Sequence, residues 1–425
     1  MSAHLKRRIQ KARLLLKQEG GAGLLLSASP VVRKSGDTSY AYRPDSNIFY
    51  MTGCESRDFS IFISSEKTNG VLIAQPENPH TATWEGAQPN FRKLSKSLGL
   101  EYREVKDMAA EVRCLITNHE KLYHQNTLGT LSWKIASEIQ ASPYFSRPTM
   151  PASFAHADSL IEDLRLYKDE TEIKLIKQAA AITNHALHET VPFVTPLSQE
   201  KDIAATIDYL FRVQGGEPSF NTIVASGPSA AVLHHEQQTR VLKNGEMLLV
   251  DCGAALDNYA ADITRVVPIS GHFTTIQKEV YSIVLEAQKA AIKAVKPGVR
   301  FAKVYDAAAR VLTEGLVELG VLKGKVSNLM QEGAHKCYFM HGIGHTLGLD
   351  VHDLGNLRAK GDGILKPGMV VTIEPGLYFS KKIRHIQPCG VRIEDDILVT
   401  SRGHEVLSEG FPKEISEIEE MMNFS

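Results

Sequence analysis

The sequence has 425 residues, with 48 Lys and Arg against 49 Asp and Glu, and its formal net charge of −1 gives no whole-chain reason to expect nucleic acid or an anionic membrane as partner. With 43% hydrophobic and 23% charged residues the composition is that of an ordinary globular protein, which excludes a disordered, collagenous or coiled-coil chain. No apolar run approaches the roughly 18 residues that span a bilayer, so a soluble protein of two or three domains is expected.

The stretch Met1 to Leu26 is basic at first, but its apolar runs Leu14-Leu15-Leu16 and Leu24-Leu25-Leu26 are separated by Lys17, Gln18 and Glu19, too broken for a secretory signal. The five cysteines (Cys54, Cys114, Cys252, Cys337, Cys389) are odd in number and scattered, with no C-x-x-C pair, and predict a reducing, cytoplasmic setting. To about residue 160, short β-rich runs (Ile61-Phe62-Ile63, Val71-Leu72-Ile73) alternate with helical ones such as Met108 to Ile116, which predicts a smaller α/β domain over residues 1–160 without a phosphate-cradling glycine loop. Arg147 to Ala157, with two prolines and several small residues, reads as a linker. A helix then starts at Asp169, which can cap it, with Glu172 at the capping-box position and Ile173, Ile176 and Ala180 along one face. Over residues 161–425 further helical patterns, Ile276 to Val295 and Lys303 to Leu319, alternate with strands Met247 to Val250 and Met369 to Ile373, each preceded by turn residues. The second, larger domain is predicted to be α+β.

The chemistry is concentrated there. Asp251 ends the apolar run Leu248-Leu249-Val250, where a lone carboxylate has little reason to be. If the chain turns around Leu256 and Asp257, Asp251 stands opposite Asp262, with Cβ atoms about 4.5–5.5 Å apart. Two anions so close destabilise a sheet unless a cation lies between them or one holds a proton. Cys252 points to the other face and is expected to pack. His341-Gly342-Ile343-Gly344-His345 and then His352 set three imidazoles in a glycine-rich stretch where the backbone can approach a ligand closely. Glu374 closes a second apolar run before Pro375-Gly376, and Glu394 shares a strand face with Arg392, opposite Val391 and Ile393; taken alone, that face would be solvated. Two Asp, two Glu and one His are hard oxygen donors with one borderline nitrogen, suited to manganese, cobalt or zinc. Four carboxylates match two divalent ions, which would lower the pKa of a bridging water for metal-assisted hydrolysis.

The ordered set Asp251, Asp262, His345, Glu374 and Glu394, with Val250-Asp251-Cys252-Gly253, His341-Gly342-Ile343-Gly344-His345 and Glu374-Pro375-Gly376, resembles the pita-bread metallopeptidases, and within them the aminopeptidase P group. Asp37-Thr38-Ser39-Tyr40-Ala41-Tyr42-Arg43-Pro44-Asp45-Ser46-Asn47 and Phe49-Tyr50-Met51-Thr52-Gly53 look like that group's N-terminal domain, and Asp163-Leu164-Arg165-Leu166-Tyr167-Lys168 like the start of its catalytic domain. The resemblance implies a curved antiparallel sheet covered by helices, and two divalent ions, manganese first, bridged by Asp262 and Glu394. Asp251 would bind one ion and His345 and Glu374 the other, with Glu374 also shuttling protons. It implies that His234, His341 and His352 position the substrate and steady the oxyanion, that Tyr378 and Arg392 support Asp251, and that Arg165 and, across a subunit interface, Asp37 shape access. Peptides with proline in second position are the implied substrates and a homodimer or homotetramer the implied assembly.

A bond before proline is a tertiary amide without N–H and with restricted φ, so it needs a dedicated pocket, and proline specificity rests on the resemblance alone. The nearest alternative is a prolidase acting on Xaa-Pro dipeptides. A methionine aminopeptidase fits poorly with the long N-terminal domain, and a non-catalytic peptide-binding module conflicts with five ligand positions of the right type. His188-Glu189 does not complete H-E-x-x-H, because Pro192 stands where the second histidine belongs. His185 and His188 are expected to do nothing chemical, Cys337 to be buried, and Trp84 to pack.

Overall fold

A computed structural model of the chain describes residues 2–66, 70–142, 149–355, 357 and 363–423. Its contacts divide it into two compact units, Met1–Arg165 and Leu166–Ser425. The first part of the expected linker, Arg147 and Pro148, lies outside the described residues.

The first unit is built on a six-stranded mixed sheet, in the order Glu101–Glu104, Val71–Ala74, Phe59–Ser64, Ala22–Ser27, Lys121–His124, Ser153–His156. Ala22–Ser27 runs antiparallel to Phe59–Ser64 and parallel to Lys121–His124, and all six of its residues are buried, as a continuous apolar run covered on both faces should be. The helix Met108–Ile116 has the bounds its sequence suggests, capped by Asp107 accepting from the Ala110 amide. The later part of the expected linker is instead ordered: Ser153–His156 pairs as an edge strand and Ala157–Leu166 is a helix. A four-residue edge strand on a parallel neighbour is too short for periodicity to reveal.

In the second unit, Asp169 caps the helix Glu170–Thr190 with the capping box closed by Glu172, and Ile176 and Ala180 face the core while Ile173 is half-buried. A second capping box, Thr274 with Gln277, opens Thr275–Ala294, and Phe301–Glu318 packs along it after Lys296-Pro297-Gly298 breaks the chain. The strands are antiparallel throughout. Ile223–Ser226, Met247–Cys252 and Ile263–Pro268 form one sheet, Val370–Ile373, Asp395–Val399 and His404–Val406 another, and Gly376–Phe379 pairs with Cys389–Arg392. Leu248, Leu249 and Val250 are at most 1% exposed, and burial of each contributes about 1.5–3 kcal/mol. Among the described residues no helix is long and apolar enough to cross a membrane.

The hairpin after Asp251 turns one residue later than expected. Asp257 and Asn258 take φ of 47° and 64°, so they, and not Leu256, are its central pair. Two consecutive left-handed residues are what a tight hairpin turn needs, and Asp and Asn tolerate that conformation far better than Leu. The register shifts by two: Asp251 faces Thr264 and Cys252 faces Ile263. A two-residue shift preserves the alternation of faces, so Asp262 and Thr264 keep the side the sequence gives them.

Beside Val370–Ile373 runs the glycine-rich segment, with Thr372 N donating to His345 O at 2.9 Å, Glu374 N to Ile343 O at 2.8 Å, and Thr346 bridging to Val371. The approach is closer than any side chain permits, because a Cβ on Gly344 would lie 1.8 Å from the Thr372 carbonyl oxygen. Gly344→Ala is therefore expected to cost about 1–3 kcal/mol of stability or to part the two segments, measured as a lowered midpoint in urea unfolding; an unchanged midpoint contradicts the close approach.

Candidate metal centre

Four backbone junctions deliver the acidic groups. Asp251 lies on Met247–Cys252, Asp262 immediately precedes Ile263–Pro268, Glu374 follows Val370–Ile373, and Glu394 sits between Cys389–Arg392 and Asp395–Val399. Asp262, Glu374 and Glu394 stand just outside strand ends, while Asp251 is paired with Ile223 and Thr264 and its direction is set by the ladder. Asp262, His345 and Glu394 each offer a ligand atom within 4.8 Å of the others. His345 Nε2 is 3.5 Å from Asp262 Oδ2 and 3.7 Å from Glu374 Oε1.

Hydrogen bonds fix how these groups point. His345 Nδ1 lies 3.1 Å from the Thr346 carbonyl, which can only accept, so Nδ1 donates there and the ring turns Nε2 towards the carboxylates. Thr264 Oγ1 donates to Glu394 Oε2 at 2.6 Å and accepts from Arg392 Nε at 3.1 Å. Arg392 also donates to Asp251 Oδ2 at 2.5 Å and to the Tyr378 hydroxyl at 2.9 Å. Having accepted from Arg392, Tyr378 donates to His341 Nε2 at 2.8 Å, while His341 Nδ1 donates to the Gly342 carbonyl at 2.8 Å. A polar chain thus runs from Asp251 to His341, whose Nδ1 is 3.6 Å from Glu374 Oε2.

The electrostatics are unbalanced. Arg392, held strongly cationic by its acidic neighbours despite burial, is the one cation seen bonded to these carboxylates among the described residues. Burial first, then Glu394, Asp251, Asp396 and Glu374, pushes the Asp262 carboxyl well above its ordinary range. Burial and then Glu374 and Asp251 do the same to Glu394, against the opposing pull of Arg392 and Thr264. Two unit anions about 4 Å apart repel by about 4 kcal/mol at an effective dielectric near 20, more than a neutral hydrogen bond returns. Asp251 Oδ1, buried, has no hydrogen-bond donor. An imidazole nitrogen aimed at carboxylates, a carboxylate oxygen without a donor and carboxyls whose ionisation burial and their neighbours oppose all fit the insertion of divalent cations.

Asp251, Asp262, His345, Glu374 and Glu394 therefore converge, with His341, Tyr378 and Arg392 bonded around them. His352 is exposed, and its ring stacks on His345 with centroids 3.9 Å apart. His234 is exposed on the loop after Gly227–Ala231. Asp37 and Arg165 belong to the first unit: Asp37 is exposed in a hairpin turn, and Arg165 is buried with Nη1 donating to Asn47 Oδ1 at 2.9 Å. The solvated face expected for Arg392 and Glu394 in isolation is overturned, since they are 4% and 2% exposed. Cys252 is buried as expected, but Cys337 is exposed. Trp84 does not pack: it is 77% exposed, on a short helix, Pro79–Glu85, that buries no residue.

Beyond Tyr378 and Arg392, the sequence did not point to the supports. Thr264 was legible by parity, two residues from Asp262 on the same face. Asp396, whose Oδ2 accepts from the Asp262 amide at 3.2 Å, and Arg265, which donates to the Glu394 carbonyl at 2.5 Å and to Asp395 at 2.9 Å, gave no local signal, because their partners lie more than a hundred positions away.

Residues 174–401 match the model of metallopeptidase family M24, and residues 4–123 that of the aminopeptidase P N-terminal domain. The Xaa-Pro aminopeptidase of Haemophilus influenzae is 33% identical over 98% of this chain and 96% of its own length. The Xaa-Pro aminopeptidase of Escherichia coli is 32% identical over 99% of both. A solved structure of E. coli aminopeptidase P with the inhibitor Pro-Leu superposes with a TM-score of 0.91, at 32% identity, over 99% of this chain and 98% of that one.

The raised carboxyls carry a consequence of definite sign. Stability due to protonated Asp262 and Glu394 is complete below the ordinary carboxylate range and is lost as pH rises through their raised values. Metal-free Asp262→Asn should therefore melt above metal-free wild type at about pH 8, with the gap closing toward about pH 4. Adding a divalent ion that fills the site should reverse the order at the higher pH, because only wild type offers all the ligands. Thermal unfolding scans read both; a gap that does not close with pH contradicts the crowding of anions.

Proposed function

The chain belongs to metallopeptidase family M24, and on that premise we propose that it is a metal-dependent exopeptidase that hydrolyses the bond between an N-terminal residue and a following proline. The observation that carries the reading is the convergence of Asp262, His345 and Glu394, with Asp251 and Glu374 in electrostatic reach, inside a chain that matches Xaa-Pro aminopeptidases end to end.

Asp262 and Glu394 would each face two divalent ions, Asp251 one of them, and His345 with Glu374 the other. Manganese is the proposed metal, with cobalt and zinc compatible with the same donors. Bound there, the ions supply Lewis acidity and lower the pKa of water to the neutral range. Glu374, partly buried beside His345 and His341, would take up and return the proton of the attacking water. His341, bonded through its two ring nitrogens to Tyr378 and the Gly342 carbonyl, would meet a substrate by exchanging one of those bonds for one to the peptide. Arg392 offsets one of the four negative charges and holds Asp251. His234 and His352, both exposed, are assigned to positioning the peptide, His352 from its stack on His345. Access is assigned to Arg165 and, across a subunit interface, to Asp37, whose exposure supports the role.

A prolidase is less well supported, because the full-length relatives are named aminopeptidases. A cytoplasmic location is part of the proposal, supported by five cysteines that form no disulfide. So is a homodimer or homotetramer, supported by the exposed Trp84, Tyr40 and Val32.

The purified protein with manganese should release the first residue from an Xaa-Pro-Xaa tripeptide faster than it splits an Xaa-Pro dipeptide. Glu374→Gln should lower kcat by about 10²–10⁴ with the circular dichroism spectrum unchanged. Full activity after exhaustive chelation contradicts the metal dependence, and a preference for the dipeptide contradicts the aminopeptidase reading.

A further inference from the structure

Lys168 and Asp353 form an ion pair of 3.1 Å between side chains only 1% and 2% exposed. Desolvation opposes such a pair, and apolar residues of the same volume would often serve stability as well or better, so its presence asks for a role in fixing one arrangement of the chain. Each partner is anchored. Lys168 N donates to the Gly368 carbonyl at 2.8 Å, and the next residue, Asp169, caps the helix Glu170–Thr190. Asp353 N donates to Thr346 O at 2.9 Å, Thr346 Oγ1 donates back to Asp353 O at 2.6 Å, and Asp353 Oδ1 accepts from Leu354 N at 2.8 Å.

Those bonds zip residue 346 to residue 353, and the residues just before each of them are His345 and His352, whose rings stack at 3.9 Å with planes 24° apart. The same loop reaches the other ligand strand, since Ala260 N, two residues before Asp262, donates to Gly348 O at 2.8 Å. Room for the ion pair depends on Gly348: a Cβ there would lie 2.0 Å from Asp353 Oδ2 and 2.9 Å from Lys168 Cε.

We propose that the Lys168–Asp353 ion pair is a positioning device that locks the loop 345–353, so that His352 stacks on His345 and His345 Nε2 faces Asp262 and Glu374. Neither residue touches a reacting atom; both act through the two imidazoles. The activity arm of the test rests on the hydrolase reading above, and the other two arms do not.

The test compares wild type with Lys168→Met and with the charge-neutral pair Lys168→Met/Asp353→Asn, the latter serving if the single variant fails to fold. In metal-free protein with carbon-13 at the imidazole Cε1 positions, the His345 and His352 resonances, assigned by single alanine variants, should shift while that of His119 in the first unit stays. Manganese titrated by calorimetry should bind about 10- to 100-fold more weakly, and kcat/KM for an Xaa-Pro-Xaa tripeptide should fall by a similar factor. On a His352→Ala background the added loss should be much smaller, which a merely structural contribution would not produce. A folded variant with unmoved His345 and His352 resonances and wild-type manganese affinity overturns the proposal, and so does a loss undiminished on the His352→Ala background. If wild type itself does not turn over the peptide, the hydrolase reading fails alone, and shifted resonances with weakened manganese binding still support the device.

Discussion

Charge crowded into a dry site governs this molecule. Asp251, Asp262, Glu374 and Glu394 meet where burial penalises the ionised forms of Asp262 and Glu394, and Arg392 answers only part of that charge. His345 turns Nδ1 to a backbone carbonyl and Nε2 to the acids, the orientation of a metal ligand. Without cations the cluster is relieved only by taking up protons, and its unbonded Asp251 Oδ1 is an acceptor that a cation would satisfy. The chemistry proposed for the chain follows from that imbalance, because the same ions that relieve it would acidify water.

Much of the second unit serves to hold that arrangement from outside. Thr264 and Arg392 orient the carboxylates of Glu394 and Asp251, while Tyr378 passes Arg392's influence to His341. Behind them lies a buried ionic hub: Arg265 grips the Glu394 backbone and Asp395, and Asp395 also accepts from Gln288, Ser408 and Lys413. Asp395, although buried, is kept below its ordinary carboxyl range by Arg265 and Lys413, whereas neighbouring Asp396 is pushed well above it by burial and Asp395. Adjacent acids with opposite behaviour show how local pairing, and not burial alone, decides ionisation.

What could be read from the sequence depended on range. Capping boxes, apolar runs and turn residues act over a few positions, so Met108–Ile116 and the start of Glu170–Thr190 were legible. The carboxylates closing the apolar runs at Asp251 and Glu374 were also conspicuous, because a charge at the end of a buried strand contradicts the local pattern. The hairpin register was misplaced by two, since the choice of Asp257 and Asn258 over Leu256 as the turn pair hinges on φ angles that the hydrophobic pattern does not report. Arg392 and Glu394 read as a solvated pair when taken alone, because their partners Thr264 and Asp251 lie far off in the chain. Exposure of Trp84 and burial of Lys168 were invisible for the same reason: each is a property of what packs against the residue.

The centre is thus best understood as a set of backbone close approaches and buried cations arranged to keep acids near one another. The most direct measurement is anomalous diffraction from crystals grown with manganese. The expected result is two peaks about 3.5–4 Å apart, flanked by Asp262 and Glu394 and reached by Asp251 on one side and His345 with Glu374 on the other. A map without anomalous density between those side chains, at manganese concentrations that support turnover, would contradict it.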